Sequence, residues 1–154
     1  METPRYRAKV RMYRQGWGDC FLITLPRGAN GAPFFIMIDC GIMPETPQRG
    51  DTSAAADPAE TMLRIVRDIH ETTGGRIDLL IVTHAHLDHV SGFVQARAEI
   101  EKIAFGEVWL AWTENRGEPQ ARVLIEGRED GIRALQLSIA RLGLLGATRS
   151  AAAA

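Results

Sequence analysis

The segment 83–89 holds three of the four histidines in the chain together with an aspartate, and we call it the histidine segment. In an extended or turn-like backbone, side chains two residues apart point the same way, so His84 and His86 can reach one ion. Asp88 and His89 come after the chain has turned, so their side chains can face a second metal position close to the first. The spacing therefore predicts a pocket in which two metal ions lie close together.

The ligand types favour a catalytic metal site over a structural one. Neutral imidazoles and a carboxylate match zinc best, with manganese or iron as alternatives, and a closed structural zinc site would favour thiolates. A metal with few protein ligands keeps positions for water, whose pKa it lowers to roughly 7. The expected chemistry is hydrolysis, in which Asp88 orients that water or accepts its proton. In the simpler alternative, His84 and His86 are loop residues satisfied by local hydrogen bonds.

A strand and a helix flank the histidine segment and must position it. Residues 77–82 are apolar enough to form a buried strand that runs directly into the histidines, and a helix is predicted to begin near Asp88. Thr83 and Ser91 are expected to steady the segment by hydrogen bonds to the backbone, because no base and acid accompany a nucleophilic hydroxyl here.

The remaining elements precede and follow this unit. Three strands in an antiparallel meander are predicted at 7–14, 20–25 and 34–38, separated by turns that contain glycine. Asp57 and Pro58 predict the start of a helix that ends near residue 73, before Gly74 and Gly75. Further predictions are a surface loop at 42–57, a strand at 107–112 and a helix from 118 to about 143, weakened at Gly127 and Gly131.

Bulk properties set limits on the class of protein. A chain of 154 residues with 45% hydrophobic content can bury the core of one domain or of part of one. The net charge of -1 gives no overall field for nucleic acid or an anionic membrane. The N-terminus lacks the apolar core of a secretory signal, and no stretch is long enough to span a bilayer, so we expect a cytoplasmic protein. Cys20 and Cys40 are expected to be buried thiols rather than a disulfide.

The order His84, His86, Asp88, His89 is a His-x-His-x-Asp-His motif after a hydrophobic strand, and in this the chain resembles the metallo-beta-lactamase superfamily. Segments 16–20 and 35–41 are similar to the first strands of that fold. The Gly-x-Gly-Asp pattern is most similar to the branch that includes the hydrolase domain of DNA-uptake competence proteins. The resemblance implies an α/β (α+β) fold: the N-terminal half of an αβ/βα four-layer sandwich, with a mixed sheet flanked by helices.

The resemblance also assigns roles to the site residues. His84 and His86 would hold the first of two zinc ions, and Asp88 and His89 the second. Asp39 and Thr83 would support these ligands from behind, although Asp39 could equally be a turn cap. The implied activity is that of a metal-dependent hydrolase with a small-molecule, phosphodiester or nucleic-acid substrate.

The chain departs from the family pattern after the motif. The family needs two further histidines and a bridging aspartate, whereas no histidine follows His89 and Asp130, in a predicted helix, is the only later aspartate. We therefore expect residues 1–146 to form a partial domain, residues 147–154 a disordered tail, and the chain to be a fragment with an incomplete site.

A half-fold would leave one face of its sheet uncovered. The candidates for that uncovered surface are Trp109, Leu110 and Trp112. In the alternative, these side chains are buried in the core. Self-association through the exposed half-sheet would cover it. The alternative to the hydrolase is accordingly a non-catalytic metal-binding or interaction module.

Overall fold

The computed structural model describes residues 6–26, 31–44 and 57–151, with side chains as far as residue 142. The strands are β1 Lys9–Met12, β2 Phe21–Leu25, β3 Phe34–Ile38, β4 Arg76–Val82 and β5 Ala104–Leu110. The helices are α1 Pro58–Thr73, α2 Leu87–Gln95, α3 Arg97–Ile100 and α4 Pro119–Ala151, with a 3-10 turn at Trp112–Glu114. Most of the surface loop predicted at 42–57 lies outside the described residues.

The five strands form one mixed sheet in the order β1-β2-β3-β4-β5. The pairs β1-β2 and β2-β3 are antiparallel, which confirms the predicted meander. The pairs β3-β4 and β4-β5 are parallel, with α1 in the first crossover and α2 and α3 in the second. This is the α/β architecture with helices and a mixed sheet that the sequence predicts. Because Ile38 lies opposite Ile81, the carboxyl ends of β3 and β4 meet at one edge, where ligand sites of such sheets form.

The core lies between the sheet and α1. The alternating strands β2 and β3 bury Leu22 and Met37, and α1 buries Met62, Val66 and Ile69 against them. Full burial of each such side chain contributes roughly 1.5–3 kcal/mol.

Cys20 and Cys40 are free thiols buried in the same core, as predicted. A hydrogen bond to Cys40, together with burial, raises the pKa of Cys20 well above its ordinary value. The Cys20 thiol is therefore a protonated, packed group rather than a nucleophile, and Cys40 is buried in the same core.

Helix α1 begins and ends where the sequence predicts. The Asp57 carboxylate accepts a hydrogen bond from the backbone N–H of Ala59 at 2.9 Å, and Gly74 ends the helix with a φ of 65°. We expect Asp57→Ala to lower the free energy of unfolding by about 1 kcal/mol, measured by urea denaturation. Asp57→Asn keeps a side-chain acceptor, so an equal loss in that variant would contradict the capping role.

Residues 111–154 form a second compact unit, separate from residues 1–110. Within it, Arg128 donates to Glu114 at 3.2 Å and Arg116 donates to Glu129 at 2.7 Å. Helix α4 continues through Gly127 and Gly131 without a break. It also includes residues 147–151 of the predicted disordered tail, in keeping with the high helix propensity of alanine, whereas residues 152–154 lie outside the described residues. The domain boundary predicted at residue 146 stays a prediction.

The three residues predicted as candidates for an uncovered surface are all exposed. Trp109 and Leu110 in β5 are 56% and 59% exposed, and Trp112 in the second unit is 56% exposed. The alternative of burial in the core is therefore wrong for them, whereas self-association through the exposed half-sheet stays a prediction. None of the helices in the described ranges is long and apolar enough to cross a membrane.

Candidate metal centre

Three segments meet at the edge where β3 and β4 end. Backbone hydrogen bonds join the end of β3 to α2. The N–H of Cys40 donates to the carbonyl oxygen of His89 at 2.7 Å, and the N–H of Gly92 donates to the carbonyl oxygen of Cys40 at 2.9 Å. The turn before β2 joins them, since the N–H of Asp19 donates to the carbonyl of Asp88 at 2.9 Å. The backbone alone thus fixes the start of α2 against both loops.

Two glycines allow these loops to approach so closely. A Cβ on Gly41 would lie 2.4 Å from the carbonyl oxygen of Asp88, and one on Gly18 would lie 2.4 Å from that of Gly41. Gly18 also has a φ of +148°, which side chains rarely adopt. The turn and the two loops therefore stack with no room for side chains between them.

Asp39 lies buried at the centre of this contact, with a φ of 55° that aspartate tolerates better than most residues. Its Oδ1 accepts the backbone N–H of Thr83 at 2.8 Å, and its Oδ2 accepts the Thr83 hydroxyl at 2.7 Å. The same Oδ2 lies 2.9 Å from Nδ1 of His89. Asp39 thus hydrogen-bonds to Thr83 and His89 of the histidine segment and does more than cap its own turn.

These contacts assign the tautomers of two histidines. Because Asp39 is a carboxylate that only accepts, His89 donates its Nδ1–H to it. Because the Thr83 hydroxyl donates its one hydrogen to Asp39, its oxygen accepts from Nδ1–H of His84, 3.0 Å away. In the neutral form of each ring, Nε2 is then the nitrogen without a hydrogen, which is the atom that can bind a metal.

Among the side chains predicted as ligands, His84 lies next to both His86 and His89, and Asp88 lies next to His89. The ring centroid of His84 is 4.5 Å from that of His86 and 3.9 Å from that of His89. Oδ2 of Asp88 lies 3.5 Å from Nε2 of His89, on the side of the ring away from Asp39. His86 is exposed and the other three are half-buried, so the group opens to solvent. The donor set, imidazole nitrogens and a carboxylate, fits zinc, manganese or iron.

Asp19 lies in this site, and sequence reasoning assigned it only to a turn. Ligand atoms of Asp19, Asp39 and His89 all lie within 4.8 Å of one another, a spacing that could hold a metal ion. Both oxygens of Asp39 already accept hydrogen bonds, whereas the Asp19 side chain is 41% exposed and has its Oδ2 3.6 Å from Nδ1 of His89. The sequence signal for Asp19 is an acidic residue directly after the turn that contains Gly16 and Gly18. A side chain at that position can face a loop that packs against these glycines.

Comparison with known proteins identifies one family. A sequence model described as the metallo-beta-lactamase superfamily matches residues 19–133, which is more than half of the chain. The match begins at Asp19 and includes Asp39 and the whole histidine segment. No curated protein and no solved structure matches the chain.

Proposed function

The chain belongs to the metallo-beta-lactamase superfamily, and from this premise we propose that it is a metal-dependent hydrolase whose metal centre is the histidine segment. The observation that carries the proposal is the network centred on Asp39. One buried carboxylate contacts Nδ1 of His89 directly and Nδ1 of His84 through the Thr83 hydroxyl, so Nε2 is the ring nitrogen that both residues keep for a metal. In neutral rings this arrangement leaves Nε2 of both histidines as a lone-pair donor for a metal, which favours a ligand role over that of loop residues.

We assign His84 and His86 to the first ion and Asp88 and His89 to the second, with zinc as the metal that best suits this donor set. Bound there, the ions would supply a water of lowered pKa and polarise a carbonyl or phosphoryl oxygen. The branch of the superfamily that the Gly-x-Gly-Asp pattern predicts stays a prediction.

The residues of the chain orient the reacting groups. Asp39 holds the His89 ring, and the Asp88 carboxylate lies 3.5 Å from its Nε2, so both ligands are directed to one place. Asp88 then also serves as the group that orients the water or accepts its proton. The exposure of His86 leaves the open side for a substrate, which we propose to be a small molecule, a phosphodiester or a nucleic acid.

The second candidate function is a non-catalytic metal-binding or interaction module. It is favoured by the sequence after the motif, where no histidine follows His89 and Asp130 lies within α4. In that case the segment would hold at most one ion, and the exposed residues around Trp109 would mediate association.

Metal analysis separates the two functions. A hydrolase whose site is complete in this chain requires the purified chain to bind two ions and to hydrolyse a phosphodiester, an ester or a lactam, with metal and turnover lost in His84→Ala and in Asp88→Ala. His70→Ala is the matched control, because His70 lies in the last turn of α1 and should change neither property. At most one ion without turnover would overturn the hydrolase, whereas two ions with hydrolysis lost in both variants would overturn the module.

A further inference from the structure

Three carboxylates surround the imidazole ring of His89. Oδ2 of Asp39 lies 2.9 Å and Oδ2 of Asp19 lies 3.6 Å from its Nδ1, whereas Oδ2 of Asp88 lies 3.5 Å from its Nε2. Within the described ranges, none of the three aspartates forms an ion pair with a lysine or an arginine. The group therefore carries negative charge that no neighbouring basic side chain balances.

Backbone bonds, rather than its side chain, hold Asp19 in this group. Its N–H donates to the carbonyl oxygen of Asp88 at 2.9 Å, and its carbonyl oxygen accepts the N–H of Gly41 at 3.0 Å. The side chain is 41% exposed, and its distance of 3.6 Å from Nδ1 of His89 is too long for a hydrogen bond. The backbone thus fixes where Asp19 lies, and the carboxylate adds charge to the site without being needed for the turn.

Asp19 and Asp39 lie close enough to repel each other. Ligand atoms of these two residues and of His89 all lie within 4.8 Å of one another. Two carboxylates at such a separation destabilise each other when no cation lies near them. A divalent metal ion reverses the effect, because both carboxylates then attract it. Unbalanced acidic groups next to imidazole nitrogens therefore favour the binding of a cation.

We propose that Asp19 is a further residue of the metal centre, whose negative charge strengthens metal binding by the histidine segment and lowers the stability of the metal-free chain. The inference rests on the proposed function, since it takes the histidine segment to be the metal centre. Asp39 hydrogen-bonds to the His89 ring and Asp19 does not, so the contribution of Asp19 to metal affinity is the smaller of the two.

The test compares metal affinity and metal-free stability in Asp19→Asn, which keeps the shape of the side chain and removes its charge. We expect the affinity for zinc to fall roughly three- to tenfold, less than for a group that hydrogen-bonds to a ligand. We expect the melting temperature of the chelator-treated variant to equal or exceed that of the unmodified chain, because the repulsion with Asp39 is removed. Competition against a chromophoric chelator and thermal unfolding measure the two quantities. A purely structural role would lower both.

Glu71→Gln is the matched control, because it removes one negative charge from an exposed position of α1. Glu71 lies near the end of α1, just before β4 begins, whereas the metal centre lies beyond the end of β4. The seven residues of that strand span about 23 Å, so salt screens the charge and the zinc affinity should stay within about twofold. Asp19→Glu keeps the charge on a partly exposed side chain and should keep most of the affinity.

The inference would be overturned by unchanged zinc affinity in Asp19→Asn, or by a lower melting temperature of its metal-free form. An equal loss of affinity in Glu71→Gln or in Asp19→Glu would also overturn it. An unmodified chain that binds no zinc would instead overturn the metal centre itself. Failure of the proposed function is thus distinguishable from failure of the role assigned to Asp19.

Discussion

The Asp39→Asn variant is expected to keep the fold and to bind metal roughly 10- to 100-fold more weakly than the unmodified chain. Asparagine tolerates the φ of 55° at this position, and its amide oxygen can still accept the N–H of Thr83. The amide nitrogen, however, places a donor where Oδ2 now accepts from Thr83 and His89. His89 must then turn an unprotonated Nδ1 to the amide, which leaves the hydrogen on Nε2, the atom that should bind the metal.

The same substitution reaches His84 through Thr83. If the Thr83 oxygen accepts from the new amide, its hydrogen turns to Nδ1 of His84, and the second Nε2 is protonated as well. Competition against a chromophoric chelator gives the metal affinity, and thermal unfolding of the metal-free protein gives the stability. Thr83→Ser keeps the hydroxyl and serves as the control, with an affinity close to that of the unmodified chain. Unchanged affinity in Asp39→Asn would mean that Asp39 does not orient the metal ligands.

Most of the framework around the site could be predicted from local sequence signals. Strand β3 has the predicted bounds, 34–38, because an uninterrupted apolar run between turn residues has few other solutions. Helix α1 was predicted from its caps, since Asp57 and Gly74 each satisfy backbone groups at a helix end. The order of a buried strand, the histidines and a helix likewise follows from composition alone.

The contacts between segments distant in sequence could not be predicted in the same way. The bond from Thr83 to Asp39 spans 44 residues and depends on the parallel register of β3 and β4, which periodicity does not determine. Asp19 was missed for the same reason: it reaches His89 only because Gly18 and Gly41 let two loops stack. Sequence patterns thus identify the candidate metal ligands on the histidine segment. Tertiary packing determines which carboxylates lie around them.

Gly41→Ala is expected to have the largest effect on stability, lowering the free energy of unfolding by about 3 kcal/mol, the upper part of the range for overpacking. The added Cβ would lie 2.3 Å from the carbonyl carbon of Asp88 and 2.4 Å from the backbone nitrogen of His89. These are backbone atoms at the start of α2, so no rotamer change can relieve the clash. To make room, the loop must give up the bond from Cys40 to His89 or that from Gly41 to Asp19.

Gly127→Ala is the matched control for this prediction, because a Cβ on that glycine in α4 meets no atom within 4 Å. There the same change should stabilise the protein by roughly 0.5–1 kcal/mol, through helix propensity alone. Urea denaturation of both variants measures the difference, and stabilisation by Gly41→Ala would disprove the close approach of the two loops. Because the clash displaces Asp88 and His89 together, Gly41→Ala should lose metal and stability at once, whereas Asp39→Asn should lose metal alone. That contrast separates the placement of the ligands from the protonation of their nitrogens.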